Sequence, residues 1–167
     1  MENRKAIIRF DGYESPPFRL SKGIDKGCPL SGVLFQFYNT DLVEVCDLSR
    51  GEEAVAFVDN ALLLARGKNL SETNERVKAM MVRQNRGLEW SLMHQCSFAI
   101  EKFRIIGFTR RQEPNPMRKP TTRPIRRSPI FLQGVKVPAV SMHKFLGVLL
   151  DQELRWKDHI NYALQKG

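Results

Sequence analysis

The sequence predicts an α+β fold, and three observations carry that prediction. Short apolar runs and helical periodicities follow one another in mixed order, unlike the strand–helix alternation of a doubly wound parallel sheet. In mid-chain, two apolar five-residue runs flank a polar pair, the pattern of an antiparallel hairpin. Composition agrees, since 42% hydrophobic and 27% charged residues over 167 positions suit one ordinary domain with a core rather than a disordered chain.

Taken in order, Ala6 to Phe10 reads as a short strand and Asp11-Gly12 as a turn. Gly27-Cys28-Pro29 opens a helix, with proline near the first helical position, where its missing N–H is harmless. Leu30, Val33, Leu34, Phe37, Asp41, Val45 and Leu48 keep helical spacing, so this helix is expected to run to about Ser49-Arg50-Gly51. Ala54 to Val58 and Ala61 to Ala65 are predicted strands joined by a two-residue turn, Asp59-Asn60, because both residues tolerate positive φ. Ser71 is placed as the cap of a helix carrying Val77, Met80, Met81 and Leu88 and reaching Trp90 or beyond. Phe98 to Phe108 reads as strand-like, Val135 to Val137 and Lys144 to Leu150 as short strands, and Leu154 to Leu164 as the start of a last helix.

Charge is concentrated rather than spread. The chain carries 27 Lys+Arg against 18 Asp+Glu, a formal net +9, which points to a polyanionic partner. Between Arg110 and Pro129 stand Arg110, Arg111, Arg118, Lys119, Arg123, Arg126 and Arg127 with one acid, Glu113, for a net +6 in 20 residues. Five of the nine prolines share that stretch, which predicts an extended, exposed loop. Two readings stand for it: a solvated basic linker, or an arm that contacts nucleic-acid phosphates without reading sequence. It contains no aromatic residue, so base stacking is not indicated there.

Several classes are excluded. No apolar run approaches the roughly 20 residues of a membrane span. The N-terminus has no adequate apolar core for a conventional signal peptide, and the three separated cysteines Cys28, Cys46 and Cys96 suggest neither a disulfide framework nor a zinc knuckle. An intracellular, reducing location is the expectation.

The chemistry lies in an order of motifs. Gly23-Ile24-Asp25-Lys26-Gly27-Cys28-Pro29-Leu30-Ser31 leads to Tyr38-Asn39-Thr40-Asp41-Leu42, and then to Phe57-Val58-Asp59-Asn60 inside the apolar hairpin. Trp90, His94, Phe98, Lys102 and Phe108-Thr109-Arg110 follow, and then His143-Lys144-Phe145-Leu146-Gly147 with Leu154, Trp156, His159 and Ile160. This order resembles the reverse-transcriptase palm of non-LTR (long interspersed element) retrotransposons, with a fungal flavour in Phe10-Asp11-Gly12-Tyr13-Glu14-Ser15. The resemblance implies a partial polymerase palm, an antiparallel sheet with packed helices, over residues 1–110. It further implies a basic Pro-rich loop over 111–129, then primer-grip-like strands and the start of a helical thumb over 130–167.

The resemblance also implies roles. An RNA-directed DNA polymerase joins a primer hydroxyl to a nucleotide with two Mg²⁺ ions roughly 4 Å apart, which need hard oxygen ligands. Asp59 matches the first hairpin aspartate and metal ligand, and Asn60 stands where the family has the second aspartate. Gly27 would let backbone approach template or nucleotide, and Lys102 matches a lysine near the nucleotide phosphates; taken alone, they are a helix start and a surface lysine. RNA or DNA would be the partner.

Departures from the pattern qualify these roles. Asn60 keeps an oxygen but loses a charge, Lys26 replaces Gln, and Cys28 replaces Ser. The family's other metal-binding aspartate would lie before residue 1, as would the fingers. The expectation is a truncated, decaying copy, inactive alone. Two alternatives accompany it: a non-enzymatic nucleic-acid binder using the basic loop, or a co-opted copy similar to powdery-mildew effectors recognised by plant immunity, with a host protein as partner.

Overall fold

Three of the reversals among the described residues turn on a pair at positive φ, Asp11-Gly12, Gln133-Gly134 and Leu146-Gly147. The computed structural model describes residues 4–20, 23 and 27–166. It divides into two compact units, residues 1–40 and 41–167.

In the first unit, β1 (Arg4–Ala6) pairs with β4 (Phe18–Leu20), and β2 (Arg9–Phe10) pairs with β3 (Tyr13–Glu14). Asp11 and Gly12, at φ 46° and 78°, make the tight turn expected of them. The predicted strand from Ala6 to Phe10 is interrupted at Ile7-Ile8, because Pro16 and Pro17 opposite lack N–H donors. Ser15 bridges the gap: its N–H donates to the Ile8 carbonyl and its Oγ accepts from the Ile8 N–H, both at 2.9 Å.

Helix α1 (Pro29–Asn39) has proline in its first turn after the extended Cys28, as the sequence predicts. It ends about ten residues early, and Thr40–Val45 continues as a 3-10 turn. Asp, Thr and β-branched valines are poor helix formers, and the Thr40 hydroxyl donates back to the Gln36 carbonyl at 3.0 Å.

The second unit holds the remaining elements. β5 (Glu52–Phe57) and β6 (Asn60–Ala65) form the mid-chain hairpin. Helix α2 (Leu70–Val82) is capped by Asn69, whose side chain accepts from the Glu72 N–H at 2.9 Å, and not by Ser71. The helix expected to continue through Trp90 breaks after Val82, and α3 (Gly87–Met93) is separate. Arg83 is extended and Asn85 has φ 57°, so the path turns. Gly87 then lets α3 approach closely, since a Cβ there would lie 2.7 Å from Met81 Sδ.

Phe98 to Phe108 forms no strand. Ile100–Lys102 is a 3-10 turn, and Ile105 makes one parallel bridge to Ala139. The Pro-rich stretch is also more ordered than an extended loop. β7 (Gln112–Pro114) pairs with β8 (Thr122–Pro124), with prolines only at strand ends, where a ladder donor is dispensable. β9 (Ile130–Leu132) and β10 (Val135–Val137) turn at Gln133-Gly134, φ 49° and 79°. The segment predicted as one strand from Lys144 to Leu150 is a hairpin, β11 (Met142–Phe145) and β12 (Val148–Asp151), because Leu146-Gly147 takes φ 47° and 88°. Helix α4 (Lys157–Leu164) starts three residues later than predicted, after a left-handed Trp156.

The α+β class is therefore what the molecule shows. Among the described residues the strands pair in six two-stranded antiparallel ladders rather than in one sheet. Met81 of α2, Ile100, and Ile130, Leu132 and Val137 of the β9–β10 hairpin form the core. A second cluster of Leu42, Val45 and Trp90 joins it through Leu63 and Phe98. Burial of each such side chain contributes roughly 1.5–3 kcal/mol, and the buried ones come from α2, α3, two 3-10 turns and the β9–β10 hairpin. No helix among the described residues is long and apolar enough to cross a membrane.

Candidate functional site

The β5–β6 hairpin is buried at one end and exposed at the other. Glu52 is fully buried, while Val55 through Asn60 are exposed, so the tip projects from the packed unit. The two-residue turn is Val58-Asp59, one residue earlier than predicted, and Asn60 begins β6 opposite Phe57. The open end sets this register. Arg66 N–H donates to the Gly51 carbonyl at 2.9 Å, and Arg76 Nη1 donates to the carbonyls of Arg50 and Arg66 at 2.5 and 2.7 Å. With both strands pinned there, Val58 is left at φ 53°, a costly conformation for a β-branched residue.

Asp59 sits exposed in this turn, and its Oδ1 accepts a hydrogen bond from Asn60 Nδ2 at 2.9 Å. Among the described residues, no group of three or more His, Cys, Asp or Glu side chains could hold a metal ion. One carboxylate and one amide at a hairpin tip are too few hard donors for two divalent ions. The described residues at the tip therefore do not by themselves fit a two-metal centre.

The other predicted positions fall in different places. Gly27 has φ 90°, which is what requires glycine there, and open space where a Cβ would stand. It belongs to the first unit. Lys102 is exposed at the end of the 3-10 turn whose Ile100 enters the core. Among the described residues no hydrogen bond or ion pair joins Lys102 to the hairpin tip.

The seven basic residues of the Pro-rich stretch do different work. Arg127 is half-buried and donates to the carbonyls of Gly107, Ile125 and Thr109 at 2.9, 2.9 and 3.0 Å. Arg110 donates to the carbonyls of Glu153 and Leu154 at 2.8 and 3.0 Å, and Arg111 to that of Lys68 at 2.9 Å. Arg123 pairs with Glu113 at 2.8 Å. Arg118, Lys119 and Arg126 are exposed, with no side-chain hydrogen bond or ion pair among the described residues.

A groove of about 520 Å³ opens elsewhere, between α2 and the turn before β5, and none of the predicted site residues lines it. Glu52 lies beneath it, bonded to Arg83 Nη2 and to the Asp47 N–H. Asp47 accepts from the Ser49 hydroxyl and N–H, and these bonds hold its carboxyl below the ordinary range against the opposing effect of burial. Glu72 is likewise held low, first by the Lys68 N–H and also by Arg76. The sequence hinted at Glu52 only as an acid heading an apolar run; its burial was not legible.

Comparison with known proteins then bears on the motif order. No family model matches the chain. It is 22% identical over 161 residues to a probable RNA-directed DNA polymerase from transposon X-element of Drosophila melanogaster. The chain is distantly similar to a transposon RNA-directed DNA polymerase. That similarity covers 96% of this chain but 16% of the fly protein, so the chain spans about a sixth of its relative's length. No solved structure matches.

Proposed function

We propose that this chain is a reverse-transcriptase-like segment of a fungal-type non-LTR element, in which Asp59 holds the position of the first hairpin aspartate. Residues 1–110 then correspond to part of the palm, and residues 130–167 to primer-grip-like strands and the start of the thumb. The observation that carries this reading is the similarity along 96% of the chain to a transposon RNA-directed DNA polymerase. The exposed hairpin tip agrees with it, because a carboxylate serving a primer and nucleotide has to stand clear of the core. RNA and DNA are the partners this implies.

On this reading the chain does not transfer nucleotides by itself. Catalysis on two divalent ions needs several carboxylate oxygens, whereas the tip offers one carboxylate with an amide bonded to it. The test is primer extension on a homopolymer template with Mg²⁺ or Mn²⁺, wild type against Asp59→Ala. Both should give background incorporation; incorporation that Asp59→Ala abolishes would refute the inactivity.

A further inference from the structure

The charge of the Pro-rich stretch sorts into two kinds, and the sorting identifies an interaction surface. Arg110, Arg111 and Arg127 direct their guanidinium groups at backbone carbonyls of residues 68, 107, 109, 125, 153 and 154. They tie the base of the β7–β8 hairpin to the rest of its unit. The one acid, Glu113, is neutralised across the ladder by Arg123. Three cations are left over, Arg118 and Lys119 at the tip and Arg126 just beyond β8, all exposed and, among the described residues, unpaired.

The tip that carries Arg118 and Lys119 is internally bonded. Asn115 N–H donates to the Thr121 carbonyl and Thr121 N–H to the Arg118 carbonyl, each at 2.9 Å, and Met117 N–H donates to Asn115 Oδ1 at 3.0 Å. A fixed turn presenting uncompensated cations costs less ordering entropy on binding than a free linker. At about 3.3 Å per residue, Lys119 and Arg126 lie no more than roughly 23 Å apart, a span of several phosphates.

We infer that the β7–β8 hairpin is an arm that binds nucleic-acid backbone phosphates through Arg118, Lys119 and Arg126, while Arg110, Arg111 and Arg127 anchor it. The choice of nucleic acid rests on the polymerase-like reading above. An anionic membrane is the poorer fit, since beside two prolines the tip offers one large apolar side chain, Met117, for insertion. The arm has no aromatic residue, so binding follows the backbone and not the bases.

The experiment measures binding of an RNA·DNA hybrid by the whole chain between 50 and 200 mM salt, wild type against Arg118→Gln/Lys119→Gln/Arg126→Gln. Each phosphate contact contributes about 0.7–0.9 to the slope of log affinity against log salt, so the triple variant should be shallower by about 2 to 3. Over that fourfold salt range the three contacts account for roughly a 20- to 40-fold change. The double variant Arg118→Gln/Lys119→Gln, removing only tip charges, should show about two-thirds of that slope change, and serves if the triple variant misfolds. Steep binding by the wild type with an unchanged slope in the variants overturns the arm and leaves the polymerase-like reading standing. No salt-dependent binding by the wild type overturns both. Variant-sensitive binding to phosphatidylserine vesicles, with hybrid binding unaffected, overturns the arm in favour of a membrane.

Discussion

Arg127 donates from Nε to the carbonyl oxygen of Gly107 at 2.9 Å, tying the end of the basic stretch to the segment just before it. The same guanidinium reaches Thr109 and Ile125, so one planar fork holds two passes of backbone. In the linear sequence Arg127 cannot be told from Arg126, which points to solvent.

That difference is measurable. Arg127→Ala should lower unfolding stability by about 2–3 kcal/mol in urea titration, because several half-buried carbonyls lose a charged donor. Arg127→Lys should recover only part, since one ammonium cannot satisfy carbonyls in a fork. Arg126→Ala should leave stability within about 0.5 kcal/mol.

The Glu52–Arg83 pair sits deeper. Glu52 is 0% exposed, with Oε2 bonded to Arg83 and to the Asp47 N–H. Arg83→Ala should cost about 3–5 kcal/mol because it strands a buried carboxylate, whereas Glu52→Ala should cost less, since Arg83 is 24% exposed and keeps its bond to the Ala79 carbonyl. In a double-mutant cycle, the two together should cost clearly less than the sum.

Acid should weaken the fold through carboxylates that accept backbone N–H groups. For Asp151 burial acts upward, but the N–H groups of Trp156, Arg155 and Glu153 prevail and hold its pKa below the usual 3.8. Asp47 and Glu72 are lowered as well. A carboxyl whose folded pKa lies below its unfolded one stabilises the protein above the unfolded value, and that stability is lost as pH falls through the folded value. Stability should therefore decline from about pH 4 downward, and Asp151→Asn should show a flatter acid limb in urea titrations at stepped pH.

At the hairpin tip, Val58 holds a left-handed conformation at φ 53°. Val58→Asn should raise stability by about 1 kcal/mol, because asparagine adopts that region more readily and Val58 is partly exposed. Thermal unfolding checks it; a lower midpoint would mean that the valine contributes packing that outweighs its strain.

Two of the hairpins were legible because their signals are local. Asp11-Gly12 announced a turn, and the apolar runs on either side of Asp59 announced β5 and β6. The turn at Leu146-Gly147 was missed because leucine is an unusual residue at positive φ. The helix expected to run through Trp90 was misjudged for a different reason. Its periodicity continues through the break, but Glu52 engages Arg83 from 31 positions away and Gly87 admits α3 against Met81. The motifs around Asp59 singled it out as a candidate, whereas the turn lies one residue earlier than expected, at Val58-Asp59, with Arg76 bonded to both strands' far end.

By itself, the sequence determined the α+β class, the existence of the mid-chain hairpin and the concentration of charge between Arg110 and Pro129. Each depends on residues adjacent in the chain: apolar spacing, turn chemistry and a count of cations. Only the tertiary structure decided which cations are engaged in the fold and which face outward. That decision depends on carbonyls contributed by segments up to 44 positions away, as between Arg110 and Leu154, which no local pattern encodes.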